Sequence, residues 1–451
     1  MQTSRTKKGV LKFVLFFICF GLANWLLTFI LTPFCTSSTE LWDKYRAYEK
    51  GSMDTIYVGT SACYEGIDPS VVDEITGYSS YNMGSNAESL RQSKRAINAA
   101  IEDHQIKRVV LVLDETLLQE GKEQFARPEA AFIQAQNRGQ GLLERIKNDA
   151  SYLFNEKYIG APESINFWFP WTYNRIKDYK TFKKELKVKL GMKEMEIKDW
   201  NNIREADGFK PFKKKINYNK IKSVSSTSWY PSMMSEKGMN YLQEVIDLCN
   251  ENDVELIIVT PPYPTSVVLS YGYTYAERHD YIESWLEERG LSYYDFNMAK
   301  ESLYEKEAEY FKDWDHNNKY GAQAFSEALG KFLLAYEKGE NVSEDFYNWK
   351  EYLATIDYID SVVLELKSTP GEGIYLNAGA YTALKDVEYC FQIYDREKEE
   401  YVTIQDYSAS PAMNYSPEKE GRYKFRVLAR KAGSKEEYER YHTKSVNYYL
   451  Q

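Results

Sequence analysis

Of the four histidines in this 451-residue chain, His316 lies in a stretch whose residue types could move a proton. In residues 311–321, FKDWDHNNKYG, Asp313 precedes His316 by three positions. If the backbone turns between them, the carboxylate can hold one ring nitrogen and leave the other free as a base. Taken alone, the stretch also reads as a solvated loop before a helix. A base needs a nucleophile, and Ser61 offers one at a Gly59-Thr60-Ser61 turn directly after the apolar run DTIYVG. A serine hydroxyl is a weak nucleophile until a base takes its proton and donors stabilise the oxyanion that forms. The same turn also suits an ordinary helix N-cap. Gly84, after a second short strand, lets backbone approach that point without a side chain in the way.

These residues act together only if the elements that carry them end on one edge. Residues 54–59 read as a short strand. DPSVVDEITG reads as a short helix with Asp68 as N-cap and Gly77 as stop. Residues 78–83 give a second strand, and residues 88–102 an amphipathic helix with Leu90, Ile97 and Ile101 on one face. Arg108-Val-Val-Leu-Val-Leu113 is a continuous apolar run, as expected of a strand buried on both faces. Beyond residue 235 the alternation resumes. A helix with Leu242, Val245, Ile246 and Cys249 inward precedes a strand over 254–259. A helix through Ile282, Trp285 and Leu286 precedes a strand over 292–296. The last helix turns Ala322, Phe325, Leu329, Phe332 and Leu333 inward. Alternating strands and helices predict a three-layer α/β/α unit on a parallel sheet over residues 36–345, with functional residues at the carboxyl ends of the strands. A polar helical neck over 36–52 precedes it.

Residues 119–235 interrupt the alternation with aromatic patches (Trp168, Phe169, Trp171, Tyr173) and a lysine-rich stretch over 210–222. A lid, a substrate-binding arm and a helical subdomain with a solvated face all fit. From 355 to 451, segments such as VVLELK and GRYKFRVLAR alternate at short spacing and predict a β-sandwich, with Tyr423, Phe425 and Val427 inward.

The N-terminus bounds where the chemistry happens. Residues 13–31, FVLFFICFGLANWLLTFIL, carry no charge and suffice to cross a bilayer core. Arg5, Lys7, Lys8 and Lys12 precede the run, which places residues 1–12 in the cytoplasm and exports the rest. A cleaved signal peptide is the competing reading, but the run is long and no small-residue cleavage site follows. Cys35 stands where a lipidated cysteine could, except that Phe34 precedes it. The net charge of -10 argues against a nucleic-acid binder. The five cysteines form no CxxC pair and no regular spacing. No metal or other cofactor is expected.

Gly59-Thr60-Ser61, Asn82-Met83-Gly84 and Asp313-x-x-His316-x-Asn318-x-x-Gly321 together resemble the SGNH (GDSL-like) hydrolase superfamily over roughly residues 54–337, outside the insertion. The resemblance implies Ser61 as nucleophile, His316 as base and Asp313 as its orienter, with Asp315 a bystander. It implies an oxyanion hole from the Ser61 amide and Gly84. Asn318 and Gly321 would shape the start of the last helix. One departure stands out: the family places an oxyanion asparagine after the third strand, and here that strand ends Leu113-Asp114-Glu115-Thr116. Asn86 could substitute.

With an N-terminal anchor, the pattern is most similar to cell-envelope O-acylation proteins such as those of alginate acetylation and teichoic acid D-alanine transfer. That similarity implies a cell-surface polysaccharide substrate, an acyl-Ser61 intermediate and a membrane-bound O-acyltransferase as partner. Transfer and hydrolysis stay open, as does a non-catalytic scaffold. Tyr389-Cys-Phe, Gln405-Asp-Tyr407-Ser and Gly421-Arg-Tyr423 make the C-terminal region resemble triple-tyrosine and immunoglobulin-like modules, which implies a binding or spacer role.

Overall fold

The computed structural model describes residues 2–34, 36–119, 126–153, 168–172, 174–193, 204–218 and 228–450. Cys35, Tyr173 and the end of the lysine-rich stretch, 219–222, lie outside the described residues.

Short β-branched runs form β1 (Thr55–Gly59), β2 (Ser80–Asn82), β3 (Arg108–Val112), β4 (Glu255–Thr260) and β5 (Tyr293–Asp295). They pair in parallel in the order β2-β1-β3-β4-β5. β1 and β3 are buried at every residue, which is why their sequences do not alternate. Successive side chains point to opposite faces. Ile56, Val58, Val109, Leu111 and Ile258 join one core with the helices Leu90–Asp103 and Glu236–Glu251. Tyr57, Val110, Val112, Ile257 and Val259 join the other, with Pro69–Thr76 and Lys319–Glu337. In register, Gly59 pairs with Val112 and Val112 with Val259, so β1, β3 and β4 end on one edge.

Local signals set the helix bounds. Asp68 accepts the Ser70 N–H at 3.1 Å and Gly77 closes its helix at φ +77°. Ala322, Phe325, Leu329, Phe332 and Leu333 are all buried, as the spacing predicts. The second strand is shorter than the sequence suggests. The polar neck is helical as expected and is packed into the unit: its helix Ser37–Tyr45 buries Leu41, Trp42 and Tyr45, and Trp42 packs edge-on against Phe132 at 5.2 Å. Three large apolar groups within five residues win over the polar residues between them.

In the insertion, the helices Ala126–Gln136, Leu142–Leu153 and Tyr179–Lys189 are followed by an irregular strap, 204–218. The strap is tied down through its backbone. Asn82 N–H donates to Asp207 O (2.8 Å), Lys210 N–H to Tyr64 O (2.9 Å), Ile216 N–H to Phe311 O (2.8 Å) and Lys319 N–H to Phe212 O (2.7 Å).

The C-terminal strands β6 (Ser361–Thr369), β7 (Gly373–Tyr381), β8 (Val387–Asp395), β9 (Glu400–Ser408), β10 (Ala412–Tyr415), β11 (Gly421–Lys431) and β12 (Arg440–Tyr448) form two antiparallel sheets, β10-β7-β6 and β12-β11-β8-β9. They enclose a sandwich core that includes Val362, Leu376, Phe391, Phe425 and Val427. At the other terminus, the helix Gln2–Leu31 contains a 23-residue apolar segment, Gly9–Leu31. At 1.5 Å per residue it is about 35 Å long, enough to cross a hydrocarbon core of about 30 Å.

Candidate active site

The sheet edge brings Ser61, His316 and Asp313 into one hydrogen-bonded chain. Ser61 is the first residue of the short helix Ser61–Gly66, which leaves β1 directly. The turn into that helix requires a glycine: Gly59 sits at φ +144°, and a Cβ there would lie 2.5 Å from Val112 O. The N-cap is Thr60, whose side chain makes no cap bond, and the Ser61 hydroxyl faces His316. His316 Nε2 lies 2.7 Å from Ser61 Oγ, and His316 Nδ1 lies 2.7 Å from Asp313 Oδ1.

The loop that carries His316 is closed by its own backbone. Phe311 and Asn317 form a bridge, Lys312 N–H donates to His316 O (3.1 Å) and Asn318 N–H donates to Tyr310 O (2.8 Å). Asn318 then caps the last helix by accepting Tyr320 N–H and Gly321 N–H. A Cβ at Gly321 would lie 2.2 Å from Tyr310 O, so a side chain there would push the loop away. Asp313 therefore reaches its histidine across one tight turn. Burial alone would raise the Asp313 carboxyl; its bond to His316 and the nearby charges of His316 and Lys312 outweigh that and hold it below its ordinary value. Asp315 behaves oppositely. Burial, helped by the negative charges of Asp313 and Asp114 and only partly opposed by His316, raises it, and its backbone N–H donates to Asp313 Oδ1 at 3.0 Å.

The other half of the site is arranged differently. As the first residue of its helix, Ser61 has an N–H with no intrahelical acceptor, and that N–H is available to an oxyanion. Gly84 N–H is committed: it donates to Asn82 Oδ1 at 3.0 Å. Asn82 is fully buried and donates in turn to Cys63 O and Ile67 O, both at 3.0 Å. Asn86 is exposed on the same loop, next to Ala87 at φ +50°. Asp114, where the family asparagine would stand, accepts Thr116 N–H (3.0 Å) and Thr116 Oγ1–H (2.7 Å).

Several supports are invisible in the sequence. Glu65, four residues after Ser61, pairs with Lys312, immediately before Asp313, in an ion pair with little exposure at either end. It links the helix that carries Ser61 to the loop that carries His316 directly. Lys312 also lies over the Phe212 ring at 3.7 Å, and Trp314 packs edge-on against Tyr218 at 6.3 Å, both rings belonging to the strap. Under the nucleophile turn, the fully buried Glu88 accepts Gly59 N–H (3.2 Å) and Ser93 Oγ–H (2.7 Å), and burial pushes its carboxyl up to about 8.

Asp313, Asp315 and His316 stand close enough to hold a cation together, as do His279, Asp280 and Glu283. At the first group both imidazole nitrogens already face Asp313 and Ser61, so a metal would have to displace one of them. What the arrangement can do as it stands is take a proton from Ser61.

No protein-family model matches the chain. No curated protein matches it. Among solved structures it is similar to one described as a lipolytic protein of the G-D-S-L family from Desulfitobacterium hafniense, at 11% identity and TM-score 0.28, covering 62% of this chain and 98% of that one. It is similar to one described as an acylhydrolase from Bacteroides fragilis, at 9% identity and TM-score 0.29, covering 66% and 93%. A third, described as a GDSL-like lipase from Bacteroides thetaiotaomicron, aligns at 8% identity and TM-score 0.30, covering 67% and 98%. At these scores the chemistry rests on the side chains of this chain, not on the likeness.

Proposed function

We propose that this chain is a membrane-anchored serine esterase or O-acyltransferase that acts outside the cytoplasm on a cell-surface polysaccharide. The observation that carries this reading is the continuous bond chain Ser61 Oγ, His316 Nε2, His316 Nδ1, Asp313 Oδ1, with 2.7 Å at both links. The substrate class rests on the sequence similarity to cell-envelope O-acylation proteins. In the first step, His316 Nε2 takes the Ser61 proton as Oγ attacks the acyl carbonyl. Asp313 holds Nδ1–H and balances the imidazolium that forms. The proton on Nε2 then passes to the leaving oxygen, and an acyl-Ser61 ester is left. A sugar hydroxyl or water, deprotonated by His316, resolves the ester.

The Ser61 N–H is the backbone part of the oxyanion hole, Gly84 N–H joins it once its bond to Asn82 opens, and Asn86 swings in as the side-chain donor. The apolar helix anchors the chain with its lysine-rich N-terminus in the cytoplasm, and a membrane-bound O-acyltransferase delivers the acyl group. The sandwich binds glycan or acts as a spacer. The full chain mixed with p-nitrophenyl acetate should release a burst of one nitrophenolate per chain, and Ser61→Ala should release none. Release that survives Ser61→Ala would refute this assignment.

Two observations favour a second reading. Gly84 N–H is already bonded to Asn82, and Asp315 stands near His316 with the negative charge of Asp114 close to it. A scaffold that keeps the SGNH shape without turnover accounts for both. In that case Ser61→Ala and His316→Ala leave surface acylation intact, while removal of residues 355–451 abolishes it.

A further inference from the structure

The N-terminal helix carries one polar side chain where a membrane-spanning helix can least tolerate it. Asn24 lies seven residues before Leu31, about 10 Å inside the exit end of the helix. Over residues 21–27 it is the single position that is not exposed. Both ends of its amide are used by the insertion: Asn24 Nδ2–H donates to Trp168 O at 2.8 Å, and Trp171 Nε1–H donates to Asn24 Oδ1 at 2.9 Å. Phe169 packs edge-on against Phe20 at 5.8 Å, one turn deeper. The turn satisfies its own carbonyls where water would be absent, since Thr172 N–H donates to Phe169 O (2.9 Å) and Asn174 N–H to Pro170 O (2.9 Å). At the exit end, Lys189 of the helix Tyr179–Lys189 donates to Phe29 O (2.6 Å) and to Thr32 O, which caps the last carbonyls of the anchor.

These contacts fix a depth. If Gly9–Leu31 spans a bilayer, Trp168–Thr172 has to lie within the outer leaflet, because it is bonded to a residue that does. The surrounding surface suits that position. Trp168 is 55% exposed, and Leu142, Leu143 and Ile146 of the helix Leu142–Leu153 are exposed by 73%, 81% and 55%. Between the anchor and these helices lies a cavity of about 920 Å³, walled by Trp25, Phe29, Ile146 and Trp168. That is near the upper end of the range of about 300–1,000 Å³ typical of small-molecule sites. Its charged lining is Arg138, Arg145 and Lys189 with one acid, Asp149, and Arg138 also pairs with Asp43 at 3.5 Å. An apolar wall with a cationic surplus matches a hydrocarbon tail below an anionic phosphate.

We propose that residues 142–153 and 168–172 form an outer-leaflet collar around the anchor, and that the cavity takes an acyl chain of a bilayer phospholipid. The collar holds the α/β unit at a fixed height on the membrane rather than on a free tether. This inference rests on the anchor reading above, and the test separates the two.

The full chain is reconstituted into phosphatidylglycerol nanodiscs that contain a phosphatidylglycerol with a photoactivatable diazirine on its acyl tail. After irradiation, adducts are mapped by peptide mass spectrometry. Adducts are expected on the peptides that contain Ile146 and Trp168 as well as on residues 9–31. In the double variant Ile146→Glu/Trp168→Glu, the collar adducts should fall at least about fivefold while those on the anchor persist. Adducts on the anchor alone would overturn the collar and leave the anchor standing. Adducts on neither would refute the anchor, and the collar with it.

Discussion

The two halves of the sheet-edge site are built by different means. The base half is local: Asp313 and His316 are three residues apart, closed by a backbone bridge and pinned by the Asn318 cap. The oxyanion half is assembled from afar, with Ser61 leaving β1, Gly84 leaving β2 and Asn82 fastening the two through Cys63 O and Gly84 N–H. A side-chain pair at fixed spacing needs only one turn to meet. A backbone N–H points where tertiary contacts turn it, and here Gly84 N–H points at Asn82. The Ser61–His316–Asp313 chain is thus complete without substrate, whereas Gly84 N–H could reach an oxyanion only if its bond to Asn82 opened.

The largest expected effects strike the completed half. His316→Ala should lower burst and turnover on the order of 10⁴-fold or more, measured with p-nitrophenyl acetate. Asp313→Asn should cost roughly as much, on the order of 10⁴, because the wrong imidazole tautomer then faces Ser61. Asp315→Asn should change the rate by less than about tenfold, since Asp315 gives the ring no side-chain bond; equal losses at 313 and 315 would break the distinction between them. In the other half, Asn86→Ala should cost about a hundredfold as a lost oxyanion donor. A loss below about threefold would leave the hole to backbone alone.

Smaller effects concern stability. Gly321→Ala should destabilise the fold by about 1–3 kcal/mol through overpacking against Tyr310, seen as a lower denaturant midpoint. Glu88 gives a pH signature. Its folded carboxyl is raised to about 8, above the unfolded value of about 4.3, so its contribution is fully present at low pH and lost as pH rises through the folded value. The melting temperature of wild type, relative to Glu88→Gln, should therefore fall between pH 5 and pH 8. A constant difference would mean that Glu88 does not titrate in that window.

How much was legible in the sequence follows the same division. The buried strands read directly, because Arg108–Val112 and Glu255–Thr260 are continuous apolar runs, and the last helix read from its spacing. The aspartate and histidine of the base loop read as a possible pair for the same local reason. The neck is helical as its sequence suggests, but the count of polar residues hid the buried face made by Leu41, Trp42 and Tyr45. The strap 204–218 was not legible, since main-chain bonds to Tyr64, Asn82 and Phe311 hold it and such bonds leave no mark on residue type. The Glu65–Lys312 pair was hidden likewise, because 247 residues separate its ends.

The central claim is that Ser61 is a nucleophile activated by His316. Its most direct test is treatment of the full chain with a fluorophosphonate, read by intact mass and peptide mapping. One adduct per chain is expected, located on Ser61, abolished in Ser61→Ala and slowed at least about a hundredfold in His316→Ala. A wild-type chain that stays unlabelled, or labels at Ser61 just as fast without His316, would contradict it.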